Sequence, residues 1–353
     1  MSIQLKVLFI IGSFLVSLPR LGHAVEGTTR IWFSPDNETP DLLAMFTRPN
    51  SWRVARSHIK VFKLGPQHFE LQSSLKINSF RDLENVGAFQ KLKRWGIALA
   101  SEEGSVKEWD CTGQEAARIT LRHIQNIRSI RANINLIAMD EPLVSGLGPC
   151  KLSLTDIAVR THGYIDKVIR DSGLGGNSGA PLIGDIEPYP HIPVGTLQAW
   201  IDELSKTSTR LDFFHLDINL HYLHVHPEIN VSNDLREIQQ VLAQEGIPFG
   251  VIIWSGHDPV DSDAAYYKDA MELVRLLKTS VHLPIDLIFQ SWVHRSPIVC
   301  YATHNNCGPE RCTAKDPVFC GEKSIPLNLP EGDPHLYTHT RLVNDSLAVL
   351  GER

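Results

Sequence analysis

The chain has 353 residues, and its 34 lysines and arginines against 40 aspartates and glutamates give a formal net charge of −6 at pH 7. This negative charge argues against a nucleic-acid partner, because contact with phosphates requires a basic surface. After the amino-terminal region, no stretch approaches the roughly 20 apolar residues that a membrane span needs. We therefore expect no transmembrane helix in the mature chain.

Residues 1–24 have the features of an export signal. Lys6 supplies a short basic start, "VLFIIGSFLVSLP" supplies an apolar core, and "GHA" ends the segment with small residues suited to cleavage. We expect the mature chain to begin near Val25 and to be secreted or periplasmic.

The six cysteines support export. An even number of cysteines in an oxidising compartment predicts disulfides. A zinc site in the C-terminal group is the alternative, but its spacings lack the close cysteine pairs that zinc sites use. The cysteines are Cys111 and Cys150, far apart in sequence, and the crowded group Cys300, Cys307, Cys312 and Cys320.

Eight short apolar, β-branched runs follow in chain order, separated by longer stretches with apolar residues at three-to-four spacing. The first pattern predicts strands and the second predicts helices. The predicted strands cover residues 30–35, 59–65, 95–104, 134–142, 181–190, 211–221, 249–259 and 286–293. The clearest predicted helices cover residues 80–96, 112–133, 154–171, 235–246, 266–277 and 335–351.

This alternation of strands and helices implies a parallel sheet. Eight strand–helix units in about 300 residues fit a closed (β/α)₈ TIM barrel better than an open doubly wound sheet. In addition, no glycine-rich phosphate loop follows the first strand. We predict an α/β fold with one (β/α)₈ barrel domain over residues 25–353, including a cysteine-rich insertion at 293–331 before the last helix.

Polar and aromatic side chains are concentrated where the predicted strands end. In a (β/α)₈ barrel these ends converge on one face, where the chemistry takes place. We therefore predict a site on that face. Its candidate catalytic residues are Glu141, Glu187 and Asp217, and its candidate substrate-binding residues are Trp32, Lys63, Glu102, Glu103, Asp140, Asp185, His215, Asn219, Trp254, Gln290 and Trp292.

The alternation of side chains along a strand refines this prediction. On the sixth strand His215, Asp217 and Asn219 share a face, and the opposite face is apolar and suits the helical layer. We therefore expect the polar face to point into the barrel. On the fifth strand Asp185 and Glu187 share a face and are expected at the same site.

Carboxyl groups together with indoles suggest a sugar substrate. Cleavage of a glycosidic bond needs two carboxyl groups, one of them protonated to assist the leaving oxygen. Crowding of like charges raises one pKa and keeps that acid protonated near neutrality. Trp254 and Trp292 offer flat apolar platforms for a sugar ring.

Asp140-Glu141-Pro142 at the end of the fourth strand resembles a motif of the TIM-barrel glycoside hydrolases of the cellulase-like clan. That clan has Asn-Glu-Pro at this place, and Trp292 is similar to its aromatic platform on strand eight. The resemblance implies that Glu141 is the general acid/base. The clan's nucleophile, a glutamate ending strand seven, is missing, because Trp254 or Ser255 stands there.

The second carboxylate must then come from Glu187 or Asp217. Adjacent strands lie about 4.8 Å apart, so a Glu141/Glu187 pair approaches the separation of about 5 to 5.5 Å typical of retaining enzymes. A Glu141/Asp217 pair reaches across an extra strand and fits the separation of about 6.5 to 9.5 Å typical of inverting enzymes. The sequence leaves both open.

Two further functions remain open. Glu141, Glu187, His215 and Asp217 could hold a divalent metal, as in sugar isomerase or lyase barrels. A secreted barrel that binds carbohydrate without cleaving it is the other alternative, favoured by the missing strand-seven glutamate. The glycosidase hypothesis itself requires no metal and no cofactor.

Some candidates also have a purely structural explanation. Trp32, Trp254 and Trp292 could plug the barrel. His215 could be a core histidine bonded to Asp217.

Overall fold

The structure is a computed structural model that describes residues 29–73, 75–173, 179–258, 260–283, 285–294 and 324–352. The predicted signal at 1–24, the cysteine group from Cys300 to Cys320 and most of the predicted insertion lie outside the described residues. Within the described residues, none of the helices is both long enough and apolar enough to cross a membrane.

Eight parallel strands close into a barrel in sequence order, and the first strand pairs with both the second and the eighth. Each of the eight predicted runs contains one of these strands, so the predicted (β/α)₈ fold is confirmed. The strands are β1 (Arg30–Ser34), β2 (Ile59–Leu64), β3 (Ala98–Glu103), β4 (Leu136–Asp140), β5 (Leu182–Tyr189), β6 (Phe214–Ile218), β7 (Phe249–Ile253) and β8 (Asp286–Gln290). A short antiparallel pair, β9 (Val293–His294) and β10 (Ser324–Ile325), follows.

Helices connect these strands and pack against one another. They are α1 (Leu42–Thr47), α2 (Arg53–His58), α3 (Phe80–Asn85), α4 (Ala88–Trp95), α5 (Gln114–Ser129), α6 (Pro142–Leu147), α7 (Leu154–Asp171), α8 (Val194–Lys206), α9 (Leu220–Val225), α10 (Val231–Gln244), α11 (Asp263–Ser280) and α12 (His339–Leu350). Two 3₁₀ turns, Pro49–Trp52 and Pro66–Phe69, complete the described helical elements.

The helix predicted over residues 80–96 is divided into α3 and α4. Gly87 stands between them in the left-handed region at φ 67°, a conformation that an α-helix cannot contain. The apolar periodicity continues across the break, which is why the sequence pattern suggested one helix.

The lower part of the barrel interior holds a buried charged network. Strand register places His215, Gly250, Asp286 and Arg30 at one level on four successive strands, β6, β7, β8 and β1. His215 Nε2 lies 3.1 Å from Asp286 Oδ2, and this contact crosses β7 at Gly250. A Cβ on Gly250 would lie 2.6 Å from His215 Cδ2, so the contact requires glycine there.

Candidate active site

Glu141 follows the last residue of β4 and begins the turn into α6. Its backbone is left-handed, at φ 52° and ψ 51°, a conformation that costs free energy in a residue with a side chain and that is concentrated at functional sites. Its amide donates to the carbonyl of Ile186 on β5 at 3.0 Å. The chain thus holds Glu141 in one orientation at the carboxyl end of the barrel.

Asp140, the neighbour of Glu141, pairs with a lysine from another loop. Its carboxylate lies 2.8 Å from the ammonium of Lys107, in the loop between β3 and α5. Lys107 was not among the residues predicted from the sequence, because it lies four residues beyond the end of β3 and belongs to no recognisable motif. The pair brings one cation to the carboxyl groups at the end of β4.

A second cation, Lys63, stands inside the barrel on β2. Its side chain is fully buried and its ammonium donates to both Glu102 on β3 and Gln290 on β8. The amide of Gln290 also donates to Glu102 at 3.1 Å. Burial alone would raise the pKa of Glu102, but Lys63, Gln290 and Lys107 together outweigh burial and lower it. This network therefore joins three residues predicted for the site, Lys63, Glu102 and Gln290. Its carboxylate, that of Glu102, is ionised at neutral pH.

Asp217 lies at the carboxyl end of β6, on the face that points into the barrel. Burial, followed by the nearby carboxyl of Glu141, raises the pKa of Asp217 to about 8. Its Oδ1 atom is buried without a hydrogen-bond partner among the described residues. Burial and Asp140 likewise raise the pKa of Glu141 to about 7. The structure therefore brings together two acids, from β4 and β6, that both retain protons near neutrality.

The two tryptophans at the ends of β7 and β8 contact each other. The rings of Trp254 and Trp292 are 4.6 Å apart between centroids and inclined by 36°. The indole N–H of Trp254 donates to the carbonyl of Ile218 at 3.0 Å. Trp254 is 7% exposed, while Trp292 is only partly buried, so Trp292 presents the more accessible ring.

Glu187 lies on the opposite face of β5 from the one predicted. Its carboxyl oxygens accept hydrogen bonds from the amides of Leu143, at 2.7 Å, and Val144, at 3.4 Å, in the first turn of α6. The side chain is fully buried. It therefore supports the turn that holds Glu141, and the arrangement does not favour a Glu141/Glu187 catalytic pair.

Asp185 shares this outward face. Its carboxylate accepts the indole N–H of Trp200 on α8 at 2.8 Å, and burial raises its pKa to about 8. The prediction that Asp185 and Glu187 share a face holds, but the face is turned toward the helices. Hydrogen-bond donors on α6 and α8 explain why Glu187 and Asp185 can lie on that side. The sequence of the strand alone gives no sign of these donors.

Glu103 also points away from the barrel interior. Its carboxylate lies 2.9 Å and 3.1 Å from Nδ1 of His123 on α5 and accepts the hydroxyl of Ser101. Of the adjacent acids ending β3, Glu102 thus joins the barrel interior and Glu103 joins the helical layer.

The opening of the barrel at the carboxyl ends of its strands, where Glu141 and Asp217 stand, is called the mouth below. His215 and Trp32 lie beneath it, in the barrel core. His215 bonds to Asp286 rather than to Asp217, and burial lowers its pKa to about 4. Trp32 is fully buried, with its ring 4.9 Å from that of His215 and 5.1 Å from that of Phe213. Both residues fill the barrel. This position agrees with the alternative that they are core residues and does not support the predicted contact with substrate.

Asn219 lies one residue past the end of β6. Its side-chain oxygen accepts the amide of Tyr222 at 2.8 Å and so caps the amino terminus of α9. Asparagine is a preferred residue for this capping role. The start of α9 therefore explains Asn219 without any contact to substrate.

The proposed metal-binding set of Glu141, Glu187, His215 and Asp217 is not assembled. Glu187 faces α6 and His215 lies in the core, so only Glu141 and Asp217 share the mouth. Across the ranges that the structure describes, no group of three or more histidine, cysteine, aspartate or glutamate side chains is arranged to hold a metal ion.

A disulfide anchors the loop that carries Lys107. Cys111, in this loop, is bonded to Cys150, which follows α6. The bond ties the segment after β3 to the segment after β4, next to Asp140 and Glu141. The expectation of disulfides is confirmed for these two cysteines.

No family model matches the chain, and no curated protein matches it. Solved structures with a similar fold include a xylanase from Cellvibrio japonicus in complex with xylopentaose, at 11% identity over 93% of this chain and 68% of that one, with a TM-score of 0.47. A fungal β-1,4-galactanase aligns at 10% identity over 73% and 88%, with a TM-score of 0.45. An aldolase aligns at 8% identity over 74% and 88%, with a TM-score of 0.39. At these values the likeness carries no argument about activity.

Proposed function

We propose that this protein hydrolyses glycosidic bonds of an oligo- or polysaccharide, with Glu141 and Asp217 as the two catalytic carboxyl groups. The observation that carries the proposal is the position of both acids at the barrel mouth, where one oxygen of Asp217 has no hydrogen-bond partner among the described residues. There the pKa is about 7 for Glu141 and about 8 for Asp217. Two acids that lose their protons one after the other can act as a donor and an acceptor in the same pH range.

The order of the two pKa values supports a division of roles. Between about pH 7 and pH 8 a larger fraction of Asp217 than of Glu141 is protonated. In the proposed reaction Asp217 therefore protonates the leaving oxygen and Glu141 acts as the carboxylate. This reverses the role that the cellulase-like resemblance implies for Glu141.

The positions of the two acids also favour one stereochemical course. β5 lies between β4 and β6, and each step between neighbouring strands is about 4.8 Å. A pair separated by an intervening strand leaves room for a water molecule, as in inverting enzymes. In the proposed reaction Glu141 activates that water on the face of the sugar opposite to Asp217.

The remaining mouth residues are proposed to bind the sugar. Trp292, supported by Trp254, offers an apolar ring face to the C–H face of a pyranose. Asp140, Glu102 and Gln290 offer polar groups to hydroxyls, and Lys63 holds the last two in position.

Export through the predicted signal at 1–24 is part of this proposal and makes the enzyme secreted or periplasmic. Amino-terminal sequencing of the protein recovered outside the cytoplasm should begin near Val25. Recovery of the unprocessed chain in the cytoplasm alone would contradict export without affecting the proposed reaction.

The test is release of reducing sugar from a panel of plant, fungal and bacterial polysaccharides, with and without EDTA. Glu141→Gln and Asp217→Asn should each lower kcat/KM at least about a hundredfold, which is the typical contribution of a general acid or base. EDTA should have no effect. Exposed Glu245→Gln, after α10, and Asp202→Asn, on α8, make the same chemical changes away from the mouth and should retain wild-type activity.

Three results would overturn the proposal. Turnover unchanged in both Glu141→Gln and Asp217→Asn would exclude the pair. Loss with EDTA and recovery with a divalent metal would favour metal-dependent chemistry. Tight sugar binding without turnover, unchanged in Glu141→Gln, would favour a binding protein.

A further inference from the structure

A cavity of about 180 Å³ lies outside the barrel, between the 3₁₀ turn Pro66–Phe69 and helix α5. Glu70, Glu103, Trp109 and His123 are among its lining residues. It is smaller than the roughly 300 to 1,000 Å³ of pockets that bind drug-sized molecules. Its size therefore suits one small ring rather than an extended ligand.

His123 presents an unused ring nitrogen to this cavity. Its Nδ1 faces both oxygens of Glu103, and a carboxylate only accepts, so Nδ1 carries a hydrogen. Nε2 can accept a hydrogen bond whenever it carries no hydrogen. Nε2 is fully buried and has no hydrogen-bond partner among the described residues. The nearest carboxylate, Glu70, is 3.8 Å away, beyond hydrogen-bond distance.

Leaving a buried polar atom without a partner is costly, and such atoms in folded proteins are normally satisfied. A ligand hydroxyl beside these two atoms could donate to either Nε2 or Glu70. A neighbouring hydroxyl could donate to the other. The pair of acceptors thus matches the adjacent hydroxyls of a polyol.

Trp109 supplies an aromatic wall of the cavity. It lies in a tight turn closed by the amide of Asp110 donating to the carbonyl of Lys107 at 2.9 Å. One edge of the indole rests on Gly104, where a Cβ would lie 2.8 Å from the ring. The side chain is nonetheless 52% exposed, so burial in the core does not account for its position.

We propose that this cavity binds a single sugar unit, with its C–H face on Trp109 and its hydroxyls donating to His123 and Glu70. The choice of a sugar as the polyol rests on the proposed function. The loop that carries Trp109 also carries Lys107, which pairs with Asp140 at the mouth. The cavity would therefore hold a second unit or branch of the same polysaccharide, outside the cleavage site.

The test uses glucose, galactose, xylose and N-acetylglucosamine, each titrated into the ¹⁵N-labelled protein. The indole N–H signal of Trp109 is assigned by its loss in Trp109→Phe. At least one sugar should shift this signal saturably, and Glu70→Ala should weaken that binding about tenfold, the loss expected for a hydrogen bond to a charged group. Exposed Glu245→Ala should leave the affinity unchanged.

The proposal is overturned if none of the four sugars shifts the Trp109 signal, or if Glu70→Ala binds with wild-type affinity. Glu70 and Trp109 are partly exposed, so both variants are expected to fold, which circular dichroism can verify. Monosaccharides contain no bond to cleave, so binding is measured independently of turnover. Sugar binding here without hydrolysis would contradict only the proposed function, and hydrolysis without a Trp109 shift would contradict only this cavity.

Discussion

Glu187 accepts a hydrogen bond from the backbone amide of Leu143 at 2.7 Å. The bond joins β5 to the first turn of α6, two residues beyond Glu141. Burial and the neighbouring Asp185 raise the pKa of Glu187 well above its usual range. The hydrogen bonds of Glu187 hold the turn that bears Glu141, which makes Glu187 a positioning residue, and its side chain binds a proton more readily than a free glutamate does.

We predict that Glu187→Gln and Glu187→Ala differ sharply in stability. Glutamine keeps an acceptor of the same shape for the Leu143 amide, so the free energy of unfolding should fall by no more than about 1 kcal/mol. Alanine leaves the Leu143 amide unpaired beside a cavity and should cost about 2 to 4 kcal/mol. Denaturant titration measures both. Equal losses in the two variants would mean that Glu187 is ionised in the folded protein.

The same residue should contribute to the pH dependence of stability. Its folded pKa is raised above 4.5, so the folded state holds a proton that the unfolded state releases. The contribution is fully present below pH 4.5 and is lost as pH rises toward the folded pKa. Denaturant midpoints between about pH 5 and pH 8 should therefore fall less steeply in Glu187→Gln than in wild type. Parallel curves would exclude this contribution.

Replacement of Lys63 by methionine should destabilise the barrel through Glu102. Removing one partner of a buried ion pair costs about 3 to 5 kcal/mol, and we expect the lower end because the Glu102 side chain is 24% exposed. The double variant Lys63→Met/Glu102→Gln removes the unpaired charge and should recover more than half of the loss. If it is as unstable as Lys63→Met, packing around the methionine is the cause.

Removal of the Cys111–Cys150 disulfide should lower the free energy of unfolding. The two cysteines are 39 residues apart, and loop-closure entropy for that length predicts about 4 kcal/mol. Cys111→Ser/Cys150→Ser should show this loss in denaturant titration without added reductant. The variant should respond to dithiothreitol less than the wild type does, because it keeps only the four cysteines between Cys300 and Cys320. A loss below about 1 kcal/mol would show that other contacts hold the Lys107 loop.

The barrel could be predicted from the sequence because its strands are short apolar runs at regular intervals. Which side chains of a strand point into the barrel could be predicted only where one face of the strand was clearly apolar. On β6 the alternation correctly turned His215 and Asp217 into the barrel, since Phe214, Leu216 and Ile218 form the apolar outer face.

On β5 the same argument failed because both faces are buried. Asp185 and Glu187 point outward, where Trp200 and the amides of α6 donate hydrogen bonds to them. Those partners are 15 and 44 residues away in sequence, so no local pattern marks them. The sequence likewise could not separate Glu102 from Glu103, because the partner of Glu103, His123, lies on α5.

The most direct test of the Glu141/Asp217 pair is the pH dependence of kcat/KM. Wild type should give a bell-shaped profile with limbs near pH 7 and pH 8, from ionisation of Glu141 and of Asp217. An aryl glycoside whose leaving group needs no proton keeps Asp217→Asn active enough to measure. The kcat/KM profile of this variant should keep the limb near pH 7 and lose the limb near pH 8. A limb near pH 8 that persists in Asp217→Asn would contradict the assignment of Asp217 as the proton donor.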